Sequence, residues 1–278
     1  MSPAEYASRI VGQVWDLPKL RARTILGNMA VRLLRAERPD EDCYGDPLPQ
    51  MQIVGNVAVI PISGVISMDV PSWLKERGIN LTDANDIEEE IDQALTDQNV
   101  ELIVFDIDSP GGWDLASLKL FEVIEASNKK KPCYFFVGDG RDAASGAYYA
   151  AAACTAGSAG WYADGIGCIG SYLAYLDDTE FWAQMGIKFE VFRSGELKGM
   201  GIDALSQVQR DYLQGMVDAS GDRFRKNVSK YRTQIVREDM EGQWFQGEEA
   251  AKRGFVIGCV DDLNAAIKKF QAMSRQAA

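Results

Sequence analysis

The stretch Val100–Leu115 reads VELIVFDIDSPGGWDL, and it joins an apolar run to a turn that contains two glycines. The apolar run is continuous, which is typical of strands that are buried on both faces of a parallel sheet. The next residues along the chain, WDLASLKLFEVIEAS at 113–127, are predicted to form a helix. A strand, a glycine turn and a helix in succession are the repeating unit of an α/β fold.

The same order recurs along the chain, so we predict an α/β fold with right-handed crossovers and sheets covered by helices. The other predicted elements are strands at 56–66 (NVAVIPISGVI), 131–140 (KPCYFFVGDG), 160–164 (GWYAD) and 188–195 (KFEVFRSG), and helices at 83–95 (DANDIEEEIDQAL), 144–154 (ASGAYYAAAAC) and about 203–231. In folds of this class, functional sites gather at the carboxyl ends of the strands.

The N-terminal part of the chain differs from the rest in composition. Residues 1–38 are richer in Lys and Arg than in Asp and Glu, and the stretch LPKLRARTILGNMAVRLLRAE at 17–37 has the spacing of a basic amphipathic helix. RPDEDCYGDPLPQ at 38–50 is typical of a linker because it is rich in Pro, Asp and Gly. We therefore predict a helical arm and linker over 1–48 and the main domain over 49–278. The arm is expected to be a packing or oligomer contact, with a membrane-surface helix as the alternative.

The composition excludes several classes of protein. The net charge of −12 argues against nucleic-acid binding, because phosphate-contacting surfaces need clustered Lys and Arg. Neither a transmembrane anchor nor a signal peptide is predicted, so we expect a cytoplasmic protein. The five cysteines form no C-x-x-C pair, which predicts no metal site and mostly buried thiols. We also expect no cofactor.

A serine stands in the second strand-to-helix turn, where DAASGAYYAAAA covers 142–153. Small residues around Ser145 would leave it accessible as a nucleophile, but a serine hydroxyl needs a base to take its proton. The chain contains no histidine, so the possible bases are a carboxylate, a lysine, a tyrosine or a thiol. A Ser–Lys pair is an established alternative, and FRSGELKGMG offers Lys198 in a glycine-flanked segment. Burial among apolar groups would favour the uncharged amine that a base requires, and Leu197 and Met200 flank this lysine.

Glycines in the two turns could bind a developing negative charge. Gly111 and Gly112 come after the strand at 100–108, and Gly146 comes after Ser145. Without a Cβ, the backbone N–H groups of adjacent residues can point at a ligand, so an oxyanion hole can form without side chains. The two turns and the serine together favour acyl transfer.

A third glycine motif, GIGCIG at 165–170, matches G-x-G-x-x-G but not its usual setting. A dinucleotide site opens the first βαβ unit and leads directly into a helix. This motif comes late in the chain, and CIGSYLAY is more typical of a strand. We therefore do not predict a dinucleotide cofactor.

Four separated motifs, SPGG, AASGAYYAA, GIGCIGS and RSGELKG, resemble in this order the S49 peptidases, the signal peptide peptidase A (protease IV) family with its phage capsid-assembly branch. The C-terminal GQWFQGEEAAKRGFV is similar to the closing segment of that family, and the likeness covers roughly residues 50–262. The resemblance implies a ClpP/crotonase-like fold with repeated ββα units. It also implies a Ser–Lys dyad of Ser145 and Lys198, whose separation of 53 residues is similar to that in the family.

The resemblance further implies an oxyanion hole from the amides of Gly112 and Gly146. A family serine that holds the lysine amine is replaced here by Cys168, so either this thiol or Ser171 is expected to support the lysine. Protein substrates, a homo-oligomer and the absence of a transmembrane anchor are implied too. Phage relatives cleave scaffold, portal or coat precursors, which would place the protein in the host cytosol or the assembling capsid. The alternatives are a crotonase-like acyl-CoA enzyme and a non-catalytic assembly protein of the same fold.

Overall fold

The structure, a computed structural model, describes residues 15–16, 49–76 and 79–277. The helix predicted at 17–37 and the linker as far as residue 48 lie outside the described residues. The boundary between an arm and the main domain at residue 48 therefore stays a prediction.

The described strands and helices come in the alternating order that the sequence predicts. The strands are β1 (Trp15–Asp16), β2 (Gln52–Val54), β3 (Val57–Ser63), β4 (Val65–Ser67), β5 (Leu81–Asp83), β6 (Leu102–Asp108), β7 (Gly112–Trp113), β8 (Cys133–Val137), β9 (Asp142–Ala144), β10 (Ala156–Ala159), β11 (Gly165–Gly167) and β12 (Trp244–Phe245). The helices are α1 (Ser72–Glu76), α2 (Ala84–Thr96), α3 (Asp114–Ser127), α4 (Gly146–Ala151), α5 (Thr179–Gln184), α6 (Gln207–Tyr231), α7 (Gly247–Lys252) and α8 (Leu263–Ala277), with a 3₁₀ turn at Arg237–Asp239.

Three sheets form the framework. The central sheet has the order β10-β8-β6-β3-β2, in which β10, β8, β6 and β3 are parallel and β2 is antiparallel to β3. The smaller sheets have the orders β1-β7-β4-β5 and β12-β11-β9. In the units β6-β7-α3 and β8-β9-α4, the first strand joins the central sheet and the second joins a small one. The predicted α/β class and ββα repeat are confirmed.

The central strands are apolar throughout because both of their faces are covered. In β6, Phe105 belongs to the core under α2, α3 and α4, whereas its neighbour Val104 belongs to the core under α8. On the α8 side, the rings of Tyr134 and Phe270 stack with centroids 4.7 Å apart. Each such buried side chain contributes about 1.5–3 kcal/mol, so the sheet holds the turns at its strand ends rigidly.

Helix α6 begins at Gln207, four residues later than predicted, because Ser206 and Gln209 form a capping box. The Ser206 hydroxyl accepts from the Gln209 N–H at 3.3 Å, and the Gln209 side chain accepts from the Ser206 N–H at 3.1 Å. In the described ranges, no helix combines the length and the apolar character needed to cross a membrane.

The strand predicted at 160–164 is wrong, because Trp161 and Tyr162 form a turn between β10 and β11. The strand predicted at 188–195 is wrong as well. The described residues there form no strand, because no neighbouring strand lies alongside to share a hydrogen-bond ladder. The only regular element between Tyr172 and Asp203 in the described chain is α5. This segment, residues 172–203, is called the lysine segment below because it carries Lys198.

Candidate active site

Ser145 occupies a sharp turn between β9 and α4. Its backbone angles are φ 52° and ψ −121°, a conformation that a residue with a Cβ adopts at a cost of about 1–3 kcal/mol. The turn is held on both sides: the Ser145 N–H donates to the Gly167 carbonyl at 2.6 Å, and the Ser145 carbonyl accepts from the Tyr149 N–H at 2.9 Å. Strain that the surrounding structure maintains at one serine points to a functional role.

The two glycines predicted to form the oxyanion hole lie next to each other. A Cβ added to Gly146 would lie 2.2 Å from Ser117 Oγ and 3.1 Å from the Gly112 backbone nitrogen. A Cβ added to Gly112 would lie 2.0 Å from the Ile66 carbonyl oxygen. Both positions therefore require glycine, and the structure brings the Gly112 amide beside the start of α4.

Gly111 shapes the turn before β7. Its φ of 99° lies in the region that favours glycine, and its carbonyl accepts from the Ile66 N–H at 3.0 Å. The Ser109 hydroxyl accepts from the Gly111 N–H at 3.2 Å and donates to the Gly64 carbonyl at 2.6 Å. The turn is thus fixed to β4 before the chain reaches Gly112.

Strand β7 lies between β4 and an extended segment from the N-terminal part of the chain. It pairs in parallel with β4 and in antiparallel with β1, where Trp15 faces Trp113 and Asp16 faces Gly112. The chain itself thus supplies an antiparallel strand next to the glycine turn. Ser145 itself is only 1% exposed, so the expectation that its small neighbours leave it accessible is wrong for this structure.

Lys198 lies in a turn of the lysine segment, where its N–H donates to the Gly195 carbonyl at 2.9 Å. Its side chain is exposed in the single chain, and no hydrogen bond joins it to Ser145. The expectation that apolar neighbours within the chain bury this amine is therefore wrong for the isolated chain. The physical reason is that no strand among the described residues pairs with the lysine segment, so the segment lies at the surface.

The lysine segment exposes an unusual number of large apolar side chains. Leu176 is 82% exposed and Phe192 is 93% exposed, and Phe181, Met185 and Phe189 are exposed as well. Polar contacts nevertheless hold the segment in place near the start of α6. The Glu196 carbonyl accepts from Gln209 Nε2 at 2.7 Å, and the guanidinium of Arg193 pairs with Asp203 at 2.6 Å.

The two residues predicted to support the lysine are placed differently. Cys168 is buried, has a φ of 55° and comes directly after Gly167, which pairs with Ala144 across β11 and β9; it therefore lies close to Ser145. The Ser171 hydroxyl is hydrogen-bonded to that of Ser220 in α6 at 2.8 Å.

The other described cysteines do not form a reactive site. Cys133 and Cys154 are buried and free, and burial raises the pKa of Cys154 to about 12 and that of Cys133 well above its usual value. Thiols that stay protonated are poor nucleophiles. The prediction that most cysteines are buried holds for three of the four that the structure describes, since Cys259 is half-buried.

No cofactor geometry is found in the part of the chain that the structure describes. No group of His, Cys, Asp or Glu there could hold a metal ion. Gly165–Gly167 of the GIGCIG motif form β11, and no helix starts directly after Gly170, so the motif lacks the setting of a dinucleotide turn.

Sequence reasoning missed the residues of α6 that face the site. Arg223 pairs with Asp114, the first residue of α3, and Asn227 donates to the Tyr149 hydroxyl in α4. These contacts join residues 78 to 109 positions apart, so local patterns give no signal for them. The one signal in the sequence was Asp114, directly after GGW, because a buried carboxylate at that position needs a cationic partner.

Comparison with known proteins gives one family and three relatives, two of them from phages. The model of peptidase family S49 matches residues 125–274. Over 191 residues the chain is 28% identical to the protein named "Putative protease MJ0651" of Methanocaldococcus jannaschii, covering 66% of this chain and 60% of that protein. Over 221 residues the chain is 26% identical to the head-tail preconnector protein GP5 of Enterobacteria phage P21, covering 78% of this chain and 42% of that protein. Over 225 residues the chain is 26% identical to the capsid assembly protease C of Escherichia phage lambda, covering 77% of this chain and 48% of that protein. The chain therefore spans less than half the length of the two phage relatives.

Among solved structures, the chain is similar to the membrane-bound stomatin-specific protease 1510-N. The two are 18% identical, and the match covers 78% of this chain and 86% of that one with a TM-score of 0.44.

Proposed function

Because this chain belongs to peptidase family S49, we propose that it is a serine endopeptidase with Ser145 as its nucleophile. The observation that carries the proposal is the strained Ser145 turn beside two positions that admit only glycine. In this mechanism Ser145 Oγ attacks the peptide carbonyl, and the N–H groups of Gly112 and Gly146 bind the oxyanion. Each such donor is worth about 10²–10³ in kcat.

In a chain without histidine, Lys198 is the proposed general base. Its uncharged amine takes the proton from Ser145 Oγ as the acyl bond forms, and then gives a proton to the departing amine. Water, deprotonated by the same amine, hydrolyses the acyl-enzyme and restores the serine. Cys168, next to the nucleophile turn, is the proposed support for the lysine.

The proposal requires the Lys198 amine to leave bulk water, and association of copies of the chain would provide this. The lysine segment presents large exposed apolar side chains, among them Leu176 and Phe192. Covering apolar area of this kind is the main driving force of association. In a homo-oligomer that covers the segment, burial of the apolar side chains would stabilise the assembly. The same contact would remove the Lys198 amine from water and so favour its uncharged form.

The proposed substrate is an extended polypeptide that pairs with β7 on the side that β1 occupies in this structure. Backbone pairing along a strand edge is a common way to hold a peptide with little dependence on its side chains. The antiparallel pairing of β1 with β7 supports this position, and Asp16 opposite Gly112 brings a backbone unit to the proposed oxyanion hole. A substrate strand would then have to replace β1. The names of the two phage relatives support protein substrates of capsid assembly in a bacterial host.

Hydrolysis of an unfolded protein tests the proposal. Fluorescein-labelled casein should be cleaved by the wild-type chain and, at a rate reduced about 10³-fold or more, by Ser145→Ala and Lys198→Ala. Lys188→Ala is the matched control, because Lys188 is another exposed lysine of the lysine segment. Undiminished cleavage by either site variant would contradict the assignment, and saturable binding of an acyl-CoA without proteolysis would favour an acyl-CoA enzyme.

A further inference from the structure

The two amides of the proposed oxyanion hole belong to different helices. Gly112 lies two residues before the start of α3, whereas Gly146 is the first residue of α4. At their first turns the helices touch where Gly146 meets Ser117. The rings of Phe121 in α3 and Tyr149 in α4 pack as well, with centroids 5.2 Å apart, so the two helices are also held together beyond their first turns. Neither contact involves Asp114 at the start of α3, two residues after Gly112, so a further contact is needed to fix that end of α3 and the amide before it.

Helix α6 contacts the beginning of α3 through Arg223. Its Nη2 atom donates to both carboxylate oxygens of Asp114, at 2.9 and 3.1 Å. The Asp114 side chain is 8% exposed and that of Arg223 is 37% exposed, so the pair is partly shielded from water. Asp114 is two residues after Gly112, and the ion pair therefore acts directly on the oxyanion turn.

The same face of α6 holds α4 through Tyr149, one turn after Gly146. The Tyr149 ring stacks on Phe224 with centroids 4.4 Å apart, and its hydroxyl accepts from Asn227 Nδ2 at 2.8 Å. The Arg223 guanidinium also lies by the Tyr149 hydroxyl. Burial raises the pKa of Tyr149 to about 12, so this hydroxyl stays protonated at neutral pH.

We propose that Arg223 is a positioning residue that locks α3 and α4 at the angle that aligns the Gly112 and Gly146 amides. It does so by binding Asp114 and facing Tyr149 from a single side chain on α6. The inference rests on the proposed function, because it assigns Arg223 to the oxyanion hole of that site. Arg223 itself does not touch the substrate.

A nearby ion pair of the same helix supplies a matched control. Arg225 pairs with Asp222 at 2.6 Å, and both residues belong to α6. Removing this guanidinium deletes an ion pair from the same helix without touching α3 or α4. Arg225→Met is therefore the counterpart of Arg223→Met.

The test measures inactivation by a fluorophosphonate, which forms a bond to the serine through a charged, oxyanion-like transition state. Arg223→Met should lower the maximal inactivation rate about 10- to 100-fold, which is part of the loss that deletion of one oxyanion donor causes. The probe concentration that gives the half-maximal inactivation rate should stay within about twofold of the wild-type value. Asp114→Asn should show the same pattern, and Arg223→Met/Asp114→Asn should lose little more than either alone. Arg225→Met should match the wild type.

Hydrogen exchange provides a readout that needs no activity. In Arg223→Met, peptides covering 110–116 and 144–150 should exchange faster, while those covering the central strand β8 should not change; Arg223→Lys should restore part of the protection. Wild-type inactivation rates with normal exchange in a folded Arg223→Met, or equal losses in Arg225→Met, would overturn the inference. Failure of the wild-type chain to react at Ser145 would instead overturn the proposed function, and the exchange pattern would still decide whether Arg223 locks the helices.

Discussion

At the scale of single residues, the site depends on side chains that are absent as much as on those present. Gly146 has no room for a Cβ because Ser117 Oγ fills that space, and Gly112 has none because of the Ile66 carbonyl. Ser145 does carry a Cβ at a positive φ, which the bonds to Gly167 and Tyr149 maintain. The nucleophile turn is thus built by backbone contacts, which explains why small residues surround it in the sequence.

Gly146→Ala tests this reasoning. The added methyl group would push α4 away from α3, so the rate of fluorophosphonate inactivation should fall about 10²-fold, and overpacking should cost about 1–3 kcal/mol of unfolding free energy. Ser117→Ala, combined with Gly146→Ala, removes the clashing oxygen. The double variant should regain part of the inactivation rate and part of the unfolding free energy. A folded Gly146→Ala chain that reacts at the wild-type rate would show that the contact does not position the amide.

Residue patterns predicted the turn but not the surroundings of the lysine. Ser145, Gly111, Gly112 and Gly146 could be singled out because turn chemistry is local and glycine requirements show in the sequence. The exposure of Lys198 could not, since burial depends on the elements that pack over a segment. Flanking apolar residues indicate that burial of a segment is favourable, but they do not indicate which element or molecule buries it.

At the scale of elements, strands and helices with their own signals were predicted well. Asp83 accepts from the Asn85 N–H and so starts α2 where the sequence places a helix, and the apolar run before GGW became β6. The strand predicted at 188–195 failed because a strand exists only with a partner. The capping box at Ser206 moved the start of α6, which the apolar spacing alone could not locate.

A pH-dependent contact between α3 and the end of α6 gives a prediction at this scale. Hydrogen bonds from Lys230, at 2.6 Å, and from Tyr231 hold the pKa of Glu125 below its usual value. The carboxylate is therefore favoured in the folded state, and its contribution to stability is present above the unfolded pKa and lost as the pH falls through the folded one. Glu125→Gln should lower the Tm by about 1–2 °C at pH 7.

The difference in Tm between wild type and Glu125→Gln should shrink as the pH falls below the usual glutamate range and vanish below the lowered pKa of Glu125, where both chains are uncharged at this position. Thermal unfolding measured by circular dichroism from pH 3 to 8 gives this difference. A difference that stays constant across this range would mean that the contact stabilises by packing and not by charge.

At the scale of the whole molecule, the described residues leave one segment uncovered. The central sheet is covered by helices on both faces, yet Phe192, in the same segment as the proposed base, is 93% exposed. Contact with another copy of the chain would bury this side chain. Association is therefore expected to be a condition of activity.

Phe192→Glu tests the link between association and activity. The charge should weaken self-association, seen by sedimentation velocity, and reduce casein hydrolysis per chain by about tenfold or more at the same protein concentration. Tyr162→Glu is the matched control, because Tyr162 is 78% exposed but lies outside the lysine segment. A Phe192→Glu chain that is monomeric and yet fully active would contradict the claim that activity requires association.

The most direct test of the central claim is the mapping of a fluorophosphonate adduct by peptide mass spectrometry on the wild-type chain and on Lys198→Ala. The mechanism predicts one adduct on Ser145 in the wild type and, because the serine loses its base, nearly none in Lys198→Ala. An adduct on another residue, or equal labelling of Ser145 in both chains, would contradict it.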